Sequence, residues 1–247
     1  MKRILFLVIP IFCLLSACGT APIKSSEITS DEKMAYSYKI DTSFDNSSSN
    51  GRNPILTFSR PVFEETSELA KEINQIYAEL EKPIIDKMML NNGPIPDEVK
   101  LLPDYPWHYT ELSECTYEKS GIVSFVLNGD WYMGGVQNSW KIGHTFDFTL
   151  GRELKINDVL RGDESQITAA LENEFYNWYK KENGYEISEN SGKDNLKKES
   201  GLDTNFYLAG DGLHVIYIPH IATLIQNGID ILIPWTRTDL VRPQWTS

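Results

Sequence analysis

The sequence predicts an α+β fold, namely a mainly antiparallel sheet with two principal amphipathic helices packed on it. Segments with strand character outnumber helical ones, and most of them follow one another through short turns, as antiparallel strands do. Two longer segments repeat apolar residues with the period of an α-helix. The composition, 41% hydrophobic and 23% charged over 247 residues, is that of a globular protein.

Residues 1–17 have the pattern of a bacterial lipoprotein signal peptide. Lys2 and Arg3 precede an apolar run at residues 4–15, whose helical length of about 18 Å is too short for a bilayer core of roughly 30 Å. The run ends in Leu-Ser-Ala-Cys, which resembles the lipobox, where the cysteine is lipidated and the chain is cut before it. We expect the lipid on Cys18 to hold the protein on the extracytoplasmic side of a membrane in the cell envelope. The alternative is an ordinary secretory signal with a chance cysteine.

The amino-terminal half contains a tether, two strands and one helix. Residues 18–33 lack a hydrophobic period, which predicts a flexible tether. A first strand begins near Tyr36 and a second covers residues 55–63. We expect the helix to have Thr66 as its N-cap and to end or kink at Pro83. Its apolar stripe consists of Leu69, Ile73, Ile76, Tyr77 and Leu80.

The carboxyl-terminal half begins with a meander of strands over residues 107–148, with a turn at Gly134 and Gly135. A short helical turn capped by Asp158 precedes the second amphipathic helix. The apolar stripe of this helix consists of Ile167, Leu171, Phe175 and Trp178. Residues 182–204 are polar and predict an exposed excursion. The final strands are expected at residues 206–209, 213–218 and 229–235.

The cysteines exclude a disulfide framework. Cys13 leaves with the signal peptide and Cys18 is expected to be acylated, so that Cys115 is the remaining thiol. By strand parity, Cys115 shares a face with Tyr109, Ser113 and Tyr117, which indicates a small buried apolar residue. A reactive thiol is the alternative, but no histidine or basic residue lies close by in sequence.

The net charge of −12 argues against a nucleic-acid partner, because phosphate binding needs clustered Lys and Arg. Loss of Lys2 and Arg3 with the signal peptide moves the charge to −14. A field of this sign attracts cationic ligands.

Several motifs follow one another in an order that resembles a known family. They are Ile122-Val123-Ser124-Phe125, Tyr132-Met133-Gly134-Gly135, Phe146-Asp147-Phe148, the stretch at residues 151–160, Phe206-Tyr207, the stretch at residues 212–219, Gly228 and Ile231-Leu232-Ile233-Pro234-Trp235. This order resembles the extracellular domain of the RsiV-type lysozyme-sensing anti-sigma factors, which also accompanies some peptidoglycan deacetylases. The resemblance implies an RsiV-like α+β domain over residues 101–247 and a small α+β domain over residues 34–100.

The sequence also departs from this family. Members commonly continue the two glycines with Ala-His-Gly, where this chain has Val136, Gln137 and Asn138. The role of that histidine is therefore not carried over. We expect no sigma-binding segment, spanning helix or deacetylase domain, so that the chain corresponds to the outward-facing binding part of the family.

The candidate ligand-binding residues are aromatic and lie around the glycine turn. Trp131, Tyr132 and Trp140 flank Gly134 and Gly135, and they could form an exposed platform for a sugar or a protein. Core packing of these aromatic residues is the alternative.

The sequence nominates no catalytic residue, cofactor or metal. No nucleophile elbow, metalloprotease helix, phosphate loop or dinucleotide fingerprint is present. His214 and His220 share strand parity but are about 20 Å apart along a strand, and His144 and Asp147 are spaced for opposite faces. The remaining histidine is His108. The acidic pairs Glu64-Glu65 and Asp163-Glu164 are interpreted as solvated helix starts.

The sequence therefore predicts an envelope lipoprotein with a non-catalytic binding domain. Its expected partners are the membrane, through Cys18, and a cationic, lysozyme-like protein or a cell-wall glycan. The first alternative is an envelope hydrolase acting on peptidoglycan, and the second is a structural lipoprotein without a soluble ligand.

Overall fold

The computed structural model describes residues 36–45, 55–91, 108–133, 136–184, 196, 200–217 and 228–245. All of them belong to one compact unit, Met34–Ser247. The strands are β1 (Tyr38–Asp45), β2 (Ile55–Phe63), β3 (His108–Lys119), β4 (Ile122–Met133), β5 (Val136–Asp147), β6 (Arg152–Glu153), β7 (Asn205–Leu208), β8 (Gly212–Tyr217) and β9 (Ile229–Pro234). The helices are α1 (Glu68–Asn91), α2 (Ile156–Val159) and α3 (Glu164–Asn183), and a 3₁₀ turn covers Pro243–Trp245.

The strands form two sheets. The larger has the order β1-β2-β3-β4-β5-β6, and the smaller has the order β7-β8-β9. Every pair is antiparallel except β2 and β3, which run parallel with Ile55 opposite His108. The α+β class and the mainly antiparallel sheet are confirmed. The larger sheet runs without interruption from β2 to β3, across the expected boundary at residue 100.

Helix α1 covers one face of the larger sheet, which we call the helix face. Its apolar stripe packs on alternate residues of β4 and β5, including Phe125 and Phe146. The helix begins at Glu68, and the Ser67 hydroxyl accepts the Ala70 N–H at 3.1 Å. The N-cap is therefore Ser67 and not Thr66. The stripe residues of α1 in this cluster are Leu69, Ala70, Ile73, Ile76 and Tyr77.

Pro83 does not end α1, which continues to Asn91. The proline lies on the exposed side of the helix. Ile84 and Ile85, directly after it, pack against Leu56 and Phe58 of β2. This packing stabilises the turn that follows the proline, and it compensates for the backbone hydrogen bond that a proline removes.

The opposite face of the larger sheet, which we call the inner face, carries the smaller sheet. Strand β7 crosses it: the Thr116 hydroxyl donates to the Leu208 carbonyl at 2.6 Å, and the Leu208 N–H donates to Ser124 Oγ at 2.9 Å. One strand further, the Gly143 N–H donates to Asn205 Oδ1 at 2.7 Å. Side chains of β3 and β4 thus satisfy both backbone groups of Leu208, while the side chain of Asn205 accepts from the backbone of β5.

The far side of the smaller sheet packs against α3. Asp163 caps the start of the helix by accepting the Gln166 N–H at 2.9 Å, and Gly184 ends it in a left-handed conformation. The buried stripe consists of Ile167, Leu171, Phe175 and Tyr179, with Trp178 only half-buried beside it. This agrees with the interpretation of Asp163 and Glu164 as a helix start.

A β-bulge in β3 corrects the expected position of Tyr117. The register between β3 and β4 shifts between Cys115 and Tyr117. Cys115 packs on the helix face, whereas Tyr117 packs with the core of the smaller sheet. The extra residue of a bulge redirects the side chains that follow it. Tyr117 therefore does not share a face with Tyr109, Ser113 and Cys115.

Candidate functional site

The structure divides the aromatic candidates between the two faces of the β4–β5 hairpin. Trp131 and Tyr132 are consecutive in β4 and so project to opposite faces. Trp140 lies opposite Gly129, two residues from Trp131, and shares its face. All three aromatic side chains are half-buried. Gly134 and Gly135, the other two candidates, lie outside the described residues.

Trp140 packs on Gly129 of the neighbouring strand and lies near the buried Glu111. A Cβ on Gly129 would overlap the indole of Trp140, so that this glycine makes room for the ring. The indole packs beside Tyr109, with ring centroids 5.1 Å apart, and it helps to lower the pKa of Glu111. Trp140 thus lies beside a polar group of the interior, which its sequence context did not indicate.

Glu111 is an unusual residue for the interior, with only 2% of its surface exposed. Oε1 accepts the Tyr109 hydroxyl at 2.8 Å, while Oε2 is buried without a hydrogen-bond partner among the described residues. Burial raises the pKa of Glu111, the hydrogen bonds from Tyr109 and Trp140 lower it in part, and the nearby Glu81 raises it further.

Glu81 of α1 belongs to the same polar layer between helix and sheet. Its carboxylate accepts the Ser43 hydroxyl at 2.8 Å and lies 3.8 Å from the Arg60 guanidinium. Burial raises the pKa of Glu81, although Ser43 and Arg60 oppose this effect. The layer separates the apolar cluster around Phe125 from the one around Phe58.

A second polar cluster lies at the edge of the inner face and centres on His214 of β8. Its Nδ1 is 2.8 Å from Asp230 Oδ1, and its Nε2 is 3.0 Å from Asp211 Oδ1. Asp230 also accepts the Tyr207 hydroxyl at 2.8 Å and the Lys141 ammonium at 2.5 Å. Tyr207 stacks on the imidazole with centroids 4.5 Å apart.

The hydrogen bonds of this cluster favour the charged forms of His214 and Asp230. Burial disfavours the imidazolium, but hydrogen bonds to Asp230 and Asp211 raise the pKa of His214 above its ordinary value. Burial raises the pKa of Asp230, but its hydrogen bonds with His214, Lys141 and Tyr207 outweigh this effect and lower the pKa to about 2. Both nitrogens of His214 are engaged, which leaves it no lone pair for a substrate proton.

His144 and Asp147 do not form a common site. His144 Nδ1 lies 2.7 Å from Glu153 Oε1, whereas Asp147 Oδ1 accepts the N–H groups of Thr149 and Leu150 in the turn after β5. His144 Nε2 is buried without a hydrogen-bond partner in the described ranges. His108 pairs with Asp130 at 2.5 Å, and His220 lies outside the described residues.

Cys115 is half-buried, and its Sγ lies 3.6 Å from the Tyr117 carbonyl. Burial raises the pKa of this thiol, which disfavours the nucleophilic thiolate. This environment is that of a packing residue.

An open cavity of about 380 Å³ lies where the inner face meets the carboxyl-terminal segment. The bulge places Tyr117 in its wall, in an edge contact with Trp245 at a ring-centroid distance of 6.5 Å. The other lining residues are Lys119, Ser120, Ile122, Asp147, Leu150, Leu154, Asp158 and Gln244. Trp235 stacks on Trp245 from behind, with centroids 6.2 Å apart.

Two polar groups of this wall, the Trp245 indole and the Asp158 carboxylate, are used in internal hydrogen bonds. The Trp245 N–H donates to the Asp158 carbonyl at 3.1 Å. Both carboxylate oxygens of Asp158 accept from the Arg152 guanidinium, at 2.8 and 2.9 Å. The cavity thus offers a fixed aromatic surface with polar groups at its rim. Sequence reasoning missed it, because its residues come from four separate segments.

Two features of the described residues bear on metal binding and on membrane crossing. In the part of the chain that the structure describes, no three His, Cys, Asp or Glu side chains converge to hold a metal ion. Within the same ranges, no helix combines the length and the apolar character needed to cross a bilayer. Cys18 lies outside the described residues.

Comparison with known proteins gives a fold. No family model matches the chain, and no curated protein matches it. The chain is similar to the crystal structure of a DUF3298 family protein from Pseudomonas aeruginosa PAO1, with a TM-score of 0.54 and 12% identity over 86% of this chain and 96% of that one. A DUF3298 member from Bacteroides fragilis NCTC 9343 has a TM-score of 0.42 and 14% identity over 83% and 92%. At these identities, the first similarity shows a shared fold.

Proposed function

We propose that this chain is a bacterial envelope lipoprotein, anchored through a lipid on Cys18, whose folded part binds an extracytoplasmic ligand without transforming it. One observation carries the binding part: the open cavity beside Tyr117 and Trp245 has an aromatic wall, in which the Trp245 indole N–H and the Asp158 carboxylate are already engaged in internal hydrogen bonds. A largely apolar, concave surface with a few polar groups at its rim is what recognition of a ligand requires.

The fold shared with a DUF3298 family protein supports this proposal, because it agrees with the RsiV-type extracellular domain that the sequence resembles. By that resemblance, the first ligand to test is a cationic, lysozyme-like protein. The charge of residues 18–247, −14 after loss of Lys2 and Arg3, supports attraction to such a partner.

The binding test is calorimetric titration of the full chain, purified in detergent, with lysozyme. We expect binding at about 20 mM salt that weakens at least about tenfold at 300 mM, because the Debye length falls with salt. Lysozyme with acetylated lysines keeps its size but loses most of its charge, and it should bind much more weakly. Absence of heat at low salt would contradict the lysozyme proposal.

Two further measurements test whether Cys18 is acylated and whether the chain cleaves peptidoglycan. Mass spectrometry should find an acylated amino terminus at Cys18, whereas an intact Met1 with an unmodified sulfur would contradict anchoring. Incubation of the chain with purified peptidoglycan should release no soluble fragment. Release would favour the envelope hydrolase.

A further inference from the structure

We propose that the cavity beside Tyr117 and Trp245 binds a neutral saccharide ring, which packs on the aromatic wall and hydrogen-bonds to the polar rim. The inference rests on the proposed binding function and specifies the class of ligand for this cavity. The volume of about 380 Å³ lies in the range of small-ligand sites, roughly 300–1,000 Å³.

The aromatic wall of the cavity offers a ligand an apolar surface that consists mainly of ring carbon atoms. The Trp245 N–H is used by the Asp158 carbonyl and the Trp235 N–H by the Ala209 carbonyl, both at 3.1 Å. What the Trp245 ring offers a ligand is therefore its carbon surface, together with that of the aliphatic side chains. A pyranose ring presents C–H groups on its faces and hydroxyls at its edge, so that it matches an apolar wall with a polar rim. The aliphatic lining residues are Ile122, Leu150 and Leu154.

The wall is also held in place before a ligand arrives. Arg242 Nε donates to the carbonyls of Asn157 and Leu160, each at 2.9 Å, and the backbone N–H of Trp245 donates to the Arg242 carbonyl at 3.0 Å. The Arg242 N–H donates to the Val159 carbonyl at 2.9 Å. These bonds fix the segment that carries Gln244 and Trp245 to α2. A fixed wall lowers the ordering entropy that binding would otherwise cost.

The rim supplies both kinds of hydrogen-bonding group. Asp147 Oδ1 accepts two turn N–H groups, which leaves Oδ2 as an acceptor toward the cavity side of the turn. Lys119 and Ser120 supply donors, and the Gln244 amide supplies a donor and an acceptor. Sugar hydroxyls donate and accept, so that they can use both.

The charge of the lining favours a neutral ligand over an ion. Asp158 is neutralised by the two hydrogen bonds from Arg152, and the charges of Lys119 and Asp147 oppose each other. A phosphate or an ammonium group would therefore gain little from the site, while it would lose its hydration.

The test titrates the full chain in detergent with three neutral probes: chitotriose, cellotriose and maltotriose, each to about 5 mM. We expect at least one to bind with a Kd of about 1 mM or below. Trp245→Leu should weaken it at least about tenfold, because Leu keeps apolar volume but removes the aromatic face. Gln244→Ala, at an exposed position, should weaken it about threefold. Trp178→Leu, the same change at a half-buried tryptophan on α3, should leave the Kd unchanged.

Two results would overturn the saccharide proposal. One is no binding of any probe by the folded wild-type chain. The other is binding that survives unchanged in both Trp245→Leu and Gln244→Ala. If lysozyme binding persists while all three saccharides fail, the binding function stands and the saccharide inference is wrong. If Trp245→Leu weakens lysozyme binding and no saccharide binds, the cavity is a protein-docking pocket.

Discussion

Gly143 of β5 lies directly against the backbone of β7, where a Cβ would overlap the carbonyl oxygen of Phe206. The two sheets therefore meet here through main-chain atoms, with no side chain between them. The Gly143 N–H donates to Asn205 Oδ1 at the same point, which fixes the register of the contact. This contact places the smaller sheet on the inner face.

Gly143→Ala should separate the sheets locally. The added methyl group has no space, because backbone atoms cannot rotate away as a side-chain tip can, and we expect a loss of about 3 kcal/mol in the free energy of unfolding. Gly210→Ala is the matched control, because no atom lies within 4 Å of its Cβ position. It should change stability by less than about 0.5 kcal/mol in urea titrations. Equal effects of the two changes would contradict the contact.

Ser124→Ala should leave the buried Leu208 N–H without its acceptor. Ser124 is fully buried, and an unsatisfied buried donor costs about 1–3 kcal/mol. The measurement is urea unfolding together with hydrogen exchange of the Leu208 amide, which should become faster. Ser139→Ala, in the half-buried part of β5, should leave that amide protected.

Glu111→Gln should change how stability depends on pH. Because burial raises the pKa of Glu111 above its unfolded value of 4.5, the folded state binds this proton more tightly. Wild-type stability should therefore decline as pH rises from 4.5 through the folded pKa. The glutamine keeps an acceptor for Tyr109 but cannot ionise. The variant should thus gain stability relative to the wild type over that range.

The control for this titration is Glu114→Gln, three residues along the same strand and exposed to solvent. At pH 7 its effect on the free energy of unfolding should be below about 0.5 kcal/mol. A Glu111→Gln curve that runs parallel to the wild-type curve would show that Glu111 ionises in the fold without penalty.

His214→Gln should remove a stabilisation that has two pH limits. The raised pKa of His214 contributes stability that is full below its unfolded value of 6.5 and lost as pH rises through the folded pKa. The lowered pKa of Asp230 contributes stability that is present above 3.8 and lost as pH falls through about 2. The difference between wild type and variant should be largest at pH 4–6, at about 1–3 kcal/mol.

Asp211→Asn tests the same cluster from its exposed side. The side chain of Asp211 is 61% exposed, whereas that of Asp230 is 20% exposed, so that solvent screens the first ion pair more. Asp211→Asn should lower the midpoint temperature of thermal unfolding at pH 5 clearly less than Asp230→Asn does. The reverse order would contradict the assignment of Asp230 as the main partner.

Cys115 should react slowly with iodoacetamide at pH 8. Burial raises its thiol pKa and so lowers the thiolate fraction in the folded state. Peptide mass spectrometry should show alkylation of Cys115 at least about tenfold faster in urea than in the native state. Equal rates would favour the reactive-thiol alternative.

Much of the fold follows from local patterns. The stripes of α1 and α3 and the strands at residues 55–63 and 229–235 were predictable, because each needs only its own periodicity to bury an apolar face. The bulge after Cys115 was not predictable, because it depends on one extra residue relative to β4 and leaves the alternation of β3 looking intact. Strand parity places Glu111 on the face of Tyr109 and Cys115, but it does not predict that a carboxyl group is buried there.

The sequence predicted the type of site, a surface for recognition, but not the residues of the cavity. Aromatic residues and an acidic charge indicated recognition, but they did not indicate the aromatic cavity that the structure forms with Tyr117 and Trp245. Tyr117 reaches the wall through the bulge, and Trp245 through the hydrogen bonds of Arg242. Both depend on contacts between distant segments, which no local pattern encodes.

The parallel pairing of β2 with β3 has a consequence for how the chain reaches this structure. Ile55 pairs with His108, and the stretch of chain between them includes all of α1. The larger sheet therefore cannot form only from hairpins between strands that are adjacent in sequence. Until that pairing forms, one border of the β3–β4–β5 meander exposes unpaired backbone groups, which other chains can join. The chain would then be most prone to aggregate before its amino-terminal strands dock, and we expect deletion of residues 34–91 to yield insoluble protein rather than a smaller folded domain.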